Sequence, residues 1–234
     1  MAIETATETV GVAVRTDDGV QAAFTLTGRR RHVESLTPAL AHLLGQVGLA
    51  AADLGLVVVD VGPGLFTGLR VGVAAAKGLA QARRIGVIGL SSLEVLTHAA
   101  GEIGHRGRVL SAVDARRGEV FATVADLDNE GSPTEVLAPG LFSPPALARV
   151  LEGLGGEPML GVGDGAQRYA EVFGAVPGVS VPDGGLAFPP PLTLLHMGLR
   201  LLDQGVAPVD PALVVPLYMR EADAVSNFAQ ISRA

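Results

Sequence analysis

AIETATETVGVAVRTDDG (residues 2–19) and AVDARRGEVFATVADLDN (112–129) carry one outline twice, at a constant offset of 110. Glu4 falls on Asp114, Val10 on Val120 and Val14 on Val124. Each copy reads as a short strand, an acidic residue, a tight turn and a second strand, and each opens one half of the chain. Repetition of a unit in this way marks a duplicated architecture. The expectation is two similar lobes, 1–105 and 106–234, with the last helix and the tail packing back on the first lobe.

Outward from the first copy, Asp18-Gly19 joins two alternating runs as a hairpin. Val33, Leu36, Leu40, Leu43, Leu44 and Val47 recur at helical spacing from His32 to Val47, with Pro38 near the first turn or at a kink. Leu54 to Val61 is an apolar run of the kind a buried strand shows, Thr67 to Ala82 reads as a helix, and IGVIGL (85–90) as a strand. Ser91 with Glu94 forms a capping box. In the second half, SPPALARVLEGL (143–154) is a helix begun by proline, PMLGVGDGA (158–166) a strand entering a glycine-rich turn, and TLLHMGLRLLDQG (193–205) a helix ending on Gly205. Residues 176–191 read as a loop and VPLYMREADAV (215–225) as an extended tail. Strands alternating with helices make this an α/β protein with mixed sheets.

Composition narrows the function. Of 234 residues, 48% are hydrophobic and 18% charged, as in a globular chain, and without Trp the core rests on Val, Leu and Ala. A net charge of -7 argues against a chain that grips nucleic acid by itself, because phosphate neutralisation needs a basic surplus. The one basic cluster is Arg29-Arg30-Arg31-His32. With no Cys there are no disulfides, thiolate metal sites or cysteine nucleophiles. MAIETATE lacks the pattern of a signal peptide and no apolar run is long enough to span a membrane, so a cytoplasmic protein is expected.

The motifs exclude more than they assign. LVVVDVGPGLFTGLRVGVAAAKGLA (56–80) has the outline of a phosphate loop, but neither spacing of a Walker loop nor that of a dinucleotide fingerprint fits its glycines. Gly68, Gly72, Ala76 and Ala80 instead share one helix face. Glycine inside a helix costs about 1 kcal/mol relative to alanine, so the stripe calls for a backbone in close approach. That backbone belongs either to the protein's own sheet or to another chain. The paired turns, Glu4-Thr5-Ala6-Thr7 and Asp114 to Gly118, form at most a degenerate nucleotide site, the first without glycine and the second with Arg116 and Arg117 inserted. No two of His32, His42, His98, His105 and His196 are spaced as a helical metal pair, and Ser91 and Ser92 sit in a cap and not in a nucleophile elbow.

ETATE, RHVESLTPAL, VGPGLFTGLRVGVAAAKGLA, GVIGLSSLEVL, VDARRGEVFATV and PLYMREADA, in that order, resemble the TsaB (YeaZ) family of bacterial tRNA-modification proteins. The resemblance implies a two-lobe, actin-like ATPase fold of the ribonuclease H-like kind, duplicated, and a subunit without catalytic residues. It also implies partnership with the catalytic relative TsaD and the ATPase TsaE in placing threonylcarbamoyl on adenosine 37 of tRNAs that read codons beginning with A. On this reading ATP is used by the partners, no cofactor is bound tightly, tRNA is held mainly through the partners, and the isolated chain is a homodimer. In catalytic relatives the stretch matching GLSSLEVL carries metal-binding histidines; here those positions are Ser92 and Leu96. Glu4 stands where the family usually has Asp. The family's first two helices form its dimer and partner contacts, which turns the small-residue stripe toward another chain. The expected interface is then His32, Leu36, Leu40, Gly68, Arg70, Gly72 and Ala76. The rival readings are an active two-lobe ATPase, which needs a working phosphate turn, and a glycoprotease-like metallopeptidase, which needs metal ligands.

Overall fold

A computed structural model describes residues 1–28 and 32–220. In the first half β1 (Ala2–Glu4), β2 (Thr9–Arg15) and β3 (Gln21–Thr27) lead into α1 (His32–Gln46), β4 (Val57–Gly62), α2 (Phe66–Arg83), β5 (Val87–Ser91) and α3 (Ser92–Glu102). The second half repeats the plan. β6 (Gly107–Arg116), β7 (Glu119–Leu127) and β8 (Pro133–Phe142) precede α4 (Pro144–Gly153), β9 (Met159–Val162), α5 (Asp164–Arg168), α6 (Ala170–Gly174), β10 (Val179–Ser180) and α7 (Pro191–Asp203). The sheets run β3-β2-β1-β4-β5 and β10-β9-β6-β7-β8, each a three-stranded meander extended by two parallel strands. This is the duplicated actin-like α/β fold.

The apolar run of β4 follows from burial on both faces. Val57 and Val59 pack under α1 and α2, while Val58 meets Leu194, Leu195 and Met197 of α7. A Cβ on Gly198 would lie 2.3 Å from Val58 Cγ2, so α7 rides close on the first sheet. α3 leaves the first sheet and places Leu93, Leu96 and Ala100 against Val109, Val113 and Phe121 of the second. The capping box forms: Ser91 Oγ accepts from the Leu93 N–H, and the Ser91 N–H donates to Glu94. Pro38 falls inside α1, beyond its first turn. The stretch 215–220 continues without a strand assignment, and Glu221 to Val225, like Arg29 to Arg31, lie outside the described residues.

The duplication is real, but its constant offset is one residue out on the first strand. Ala2 faces Ala13 in one sheet and Ser111 faces Thr123 in the other. With β2 on β7 at 110, Ile3 therefore matches Ala112 and Glu4 matches Val113, not Asp114. The faces agree, since Ile3 and Ala112 both turn toward the helices that follow the meander. Four residues, Thr5 to Glu8, join the strands of the first hairpin, whereas Arg117 and Gly118 alone join those of the second. An offset that ignores this difference pairs two acids that do not correspond.

Candidate functional site

The two turns face one another across a cleft of about 780 Å³, where an actin-like ATPase would hold its nucleotide. Glu8, His32, Phe66, Thr67 and Gly68 line one wall, Arg116 and Arg168 the other. Neither acid of the expected nucleotide site, Glu4 or Asp114, is part of this lining. Glu4 is fully buried, and its carboxylate turns back to accept from the Ala6 N–H (2.7 Å) and Thr7 Oγ1 (3.0 Å). The parallel register that sets Ile3 beside Val59 places Glu4 beside Asp60 on the neighbouring strand, about 5 Å away.

Asp60 is also fully buried. Its Oδ1 accepts from the Gly62 N–H and from Ser92 Oγ, both at 2.7 Å, while Oδ2 has no partner. Burial pushes Asp60 up to about 7, with Glu94 adding to the rise. Burial and then the neighbouring Asp60 hold Glu4 well above the usual carboxylate range. Two acids this close and this dry share protons instead of both ionising. Asp60 sits within the apolar strand run and has no local motif that marks it. The signal that it faces another acid lies in the register with Glu4.

Asp114 is buried behind the arginines of the cleft wall, accepting from the Arg116 N–H (2.9 Å) and the Arg116 guanidinium (2.9 Å), with Arg168 at 3.6 Å. Its own N–H donates to Asp164, which burial raises to about 6. Arg116 also reaches Glu8 of the opposite turn at 2.5 Å. A guanidinium thus stands where a nucleotide site would present glycine backbone and a metal. Arg116 and Arg117 are in the left-handed region, at φ 62° and 57°, which costs an L residue roughly 1–2 kcal/mol. Gly118 completes the turn at φ 79°.

The expected interface is corrected. Gly68, Gly72 and Ala76 face the protein's own first strand and turn. A Cβ on Gly68 would lie 2.0 Å from the Thr5 carbonyl oxygen, and one on Gly72 2.2 Å from Thr5 Oγ1. Thr5 Oγ1 donates to the Gly68 carbonyl at 2.8 Å, which this approach makes possible. His32, Leu36 and Leu40 are buried too, and His32 Nε2 is hydrogen-bonded to the Thr7 carbonyl (2.8 Å). Only Arg70 of the seven is exposed; its guanidinium stacks 3.7 Å over Phe66 and donates to the Tyr218 hydroxyl. The outer faces of the same helices present Val33, Thr37 and Ala41 on α1 and Thr67, Ala74 and Gly78 on α2, all exposed. Val33 is 70% exposed, and nothing lies within 4 Å of where a Cβ on Gly78 would stand.

Ser92 and Leu96, set by the resemblance against a metal-binding histidine pair, are both fully buried, Ser92 on Asp60 and Leu96 in the core under the second sheet.

A family model described as TsaD, tRNA N6-adenosine threonylcarbamoyltransferase, matches residues 24–137. The tRNA threonylcarbamoyladenosine biosynthesis protein TsaB of Escherichia coli K12 is 31% identical over 220 residues, covering 94% of each chain. The chain belongs to the TsaB family. The TsaB protein of Bacillus subtilis is 36% identical over 129 residues, 55% of this chain and 56% of its own. YeaZ from Pseudomonas aeruginosa superposes with a TM-score of 0.76 at 25% identity, covering 93% of this chain and 97% of its own. A second Pseudomonas aeruginosa structure, described as similar to peptidase YeaZ, reaches 0.80 at 25% identity, over 94% and 98%. The TsaB relationship runs through both lobes, whereas the TsaD match spans the first lobe's helices and the second hairpin. Among the described residues, no helix is long and apolar enough to cross a membrane.

Proposed function

We propose that this TsaB-family chain is a non-catalytic subunit of the machinery that forms threonylcarbamoyladenosine in tRNA. It supports a TsaD-type catalytic relative, with a TsaE-type ATPase as third partner, in the cytoplasm. The observation that carries this reading is the Arg116 guanidinium, ion-paired to Glu8 and Asp114 in the cleft where the fold would hold nucleotide. Ser92 and Leu96 at the metal-histidine positions support it, as neither residue type offers an imidazole.

The contact face is the exposed side of α1 and α2. Its exposed residues include Val33, Thr37, Ala41, Ala74 and Gly78, which are small or apolar and suit close helix packing against a relative or against a second copy in isolation. The acidic balance of the chain leaves most of the tRNA contact to the partners. The test mixes the purified chain with its organism's catalytic relative and ATPase, and reads threonylcarbamoylated tRNA with and without it. Modification that depends on this chain, with no ATP hydrolysis by the chain alone, supports the proposal. Hydrolysis by the chain alone, or modification indifferent to it, rejects the proposal.

A further inference from the structure

The hairpin joining β6 to β7 is tied to the first lobe by two arginines. Arg116, at the end of β6, holds Asp114 beside it and crosses the cleft to Glu8 in the first lobe's turn. Arg220 comes from the opposite direction. Its segment is anchored on the first lobe, where Lys77 Nζ donates to the carbonyls of Ala212 and Val214 (3.1 and 3.0 Å) and the Leu217 N–H donates to the Val61 carbonyl (2.7 Å). Arg220 itself donates to the Ala115 carbonyl (3.0 Å) and pairs with Glu119, both on the hairpin. Arg116 holds a left-handed backbone to make its contact, a conformation that persists only where the surroundings over-determine it.

We propose that these two ties form a latch that fixes the separation of the lobes across the cleft. The lobes turn about α3, the helix packed between the sheets, and the hairpin is the point at which that turning is stopped. Both ties are guanidinium–carboxylate pairs, which hold geometry as well as charge. Arg168, paired to Asp114 within its own lobe, lines the same cleft without bridging it.

The absence of cysteine makes the test direct. Spin labels on Asp53→Cys of the first lobe, outside the contact face named above, and Glu171→Cys of α6, both exposed, report the distance between the lobes in the full chain. The unaltered background gives one narrow distance. Arg116→Gln and Arg220→Gln each add a longer population, and the two together make it dominant, while Arg168→Gln changes nothing. An unchanged distribution in the double variant overturns the latch, as does equal opening in Arg168→Gln. Thermal unfolding confirms that each variant folds. If the double variant does not fold, the single variants decide: a longer population in both supports the latch, and unchanged distributions in both overturn it.

Discussion

Three glycines of α2 separate an inward stripe from an outward one. Gly68→Ala sets a methyl 2.0 Å from a backbone carbonyl oxygen of Thr5, which no side-chain rotation relieves. Overpacking of this kind costs about 1–3 kcal/mol, against up to about 1 kcal/mol regained in helix propensity. Gly72→Ala meets the Thr5 hydroxyl at 2.2 Å, and Thr5 can rotate only by giving up its buried bond to the Gly68 carbonyl. Leaving those groups unpaired costs roughly 1–3 kcal/mol, so after the gain in helix propensity the net loss is about 0–2 kcal/mol. Gly78→Ala meets nothing and stabilises by up to about 1 kcal/mol. Each kcal/mol moves Tm by about 2–4 °C in a chain of this size, well within reach of calorimetry. In a Thr5→Ala background the next atom is Thr5 Cβ at 3.5 Å, so the penalty of Gly72→Ala disappears while that of Gly68→Ala remains. If Gly68→Ala and Gly72→Ala raise Tm as Gly78→Ala does, the stripe faces outward and the reasoning fails.

Asp60→Asn keeps an oxygen for Gly62 and Ser92 and removes the buried charge beside Glu4. An acid raised to about 7 stabilises the fold less as pH climbs from about 4 to 7, because the folded state holds its proton longer than the unfolded one. Between pH 5 and pH 8 that loss is on the order of 3 kcal/mol at most, and in the variant it is expected to shrink to what the buried Glu4 contributes; unfolding at the two pH values reads it. Gly198→Ala drives a methyl into Val58 and lowers stability by about 1–3 kcal/mol, checked in urea, with Val58→Ala restoring part of the loss.

Much of the fold was legible because strand and helix periodicity is local. The duplication was visible from two turns, yet its register was not, since unequal turn lengths shift one strand against the other without changing either strand's composition. The stripe Gly68, Gly72, Ala76 and Ala80 announced a close backbone; which backbone is a matter of three-dimensional packing, and it proved to be that of Thr5. Arg116 looked like an insertion that spoils a phosphate turn. Its partner Glu8 lies 108 residues earlier, so the pairing had no local sign. Asp60 was hidden for the same reason, because its neighbour Glu4 is supplied by a parallel strand 56 residues away.

The most direct test is the affinity of the Ala74→Arg chain for its organism's TsaD-type relative, measured by titration beside the unaltered chain. Ala74 is exposed, so the substitution is expected to leave stability within about 0.5 kcal/mol. An arginine forced into a close helix contact is expected to weaken binding at least ~10-fold, about 1.4 kcal/mol. Unchanged affinity in the folded variant would contradict the claim that this face carries the protein's function.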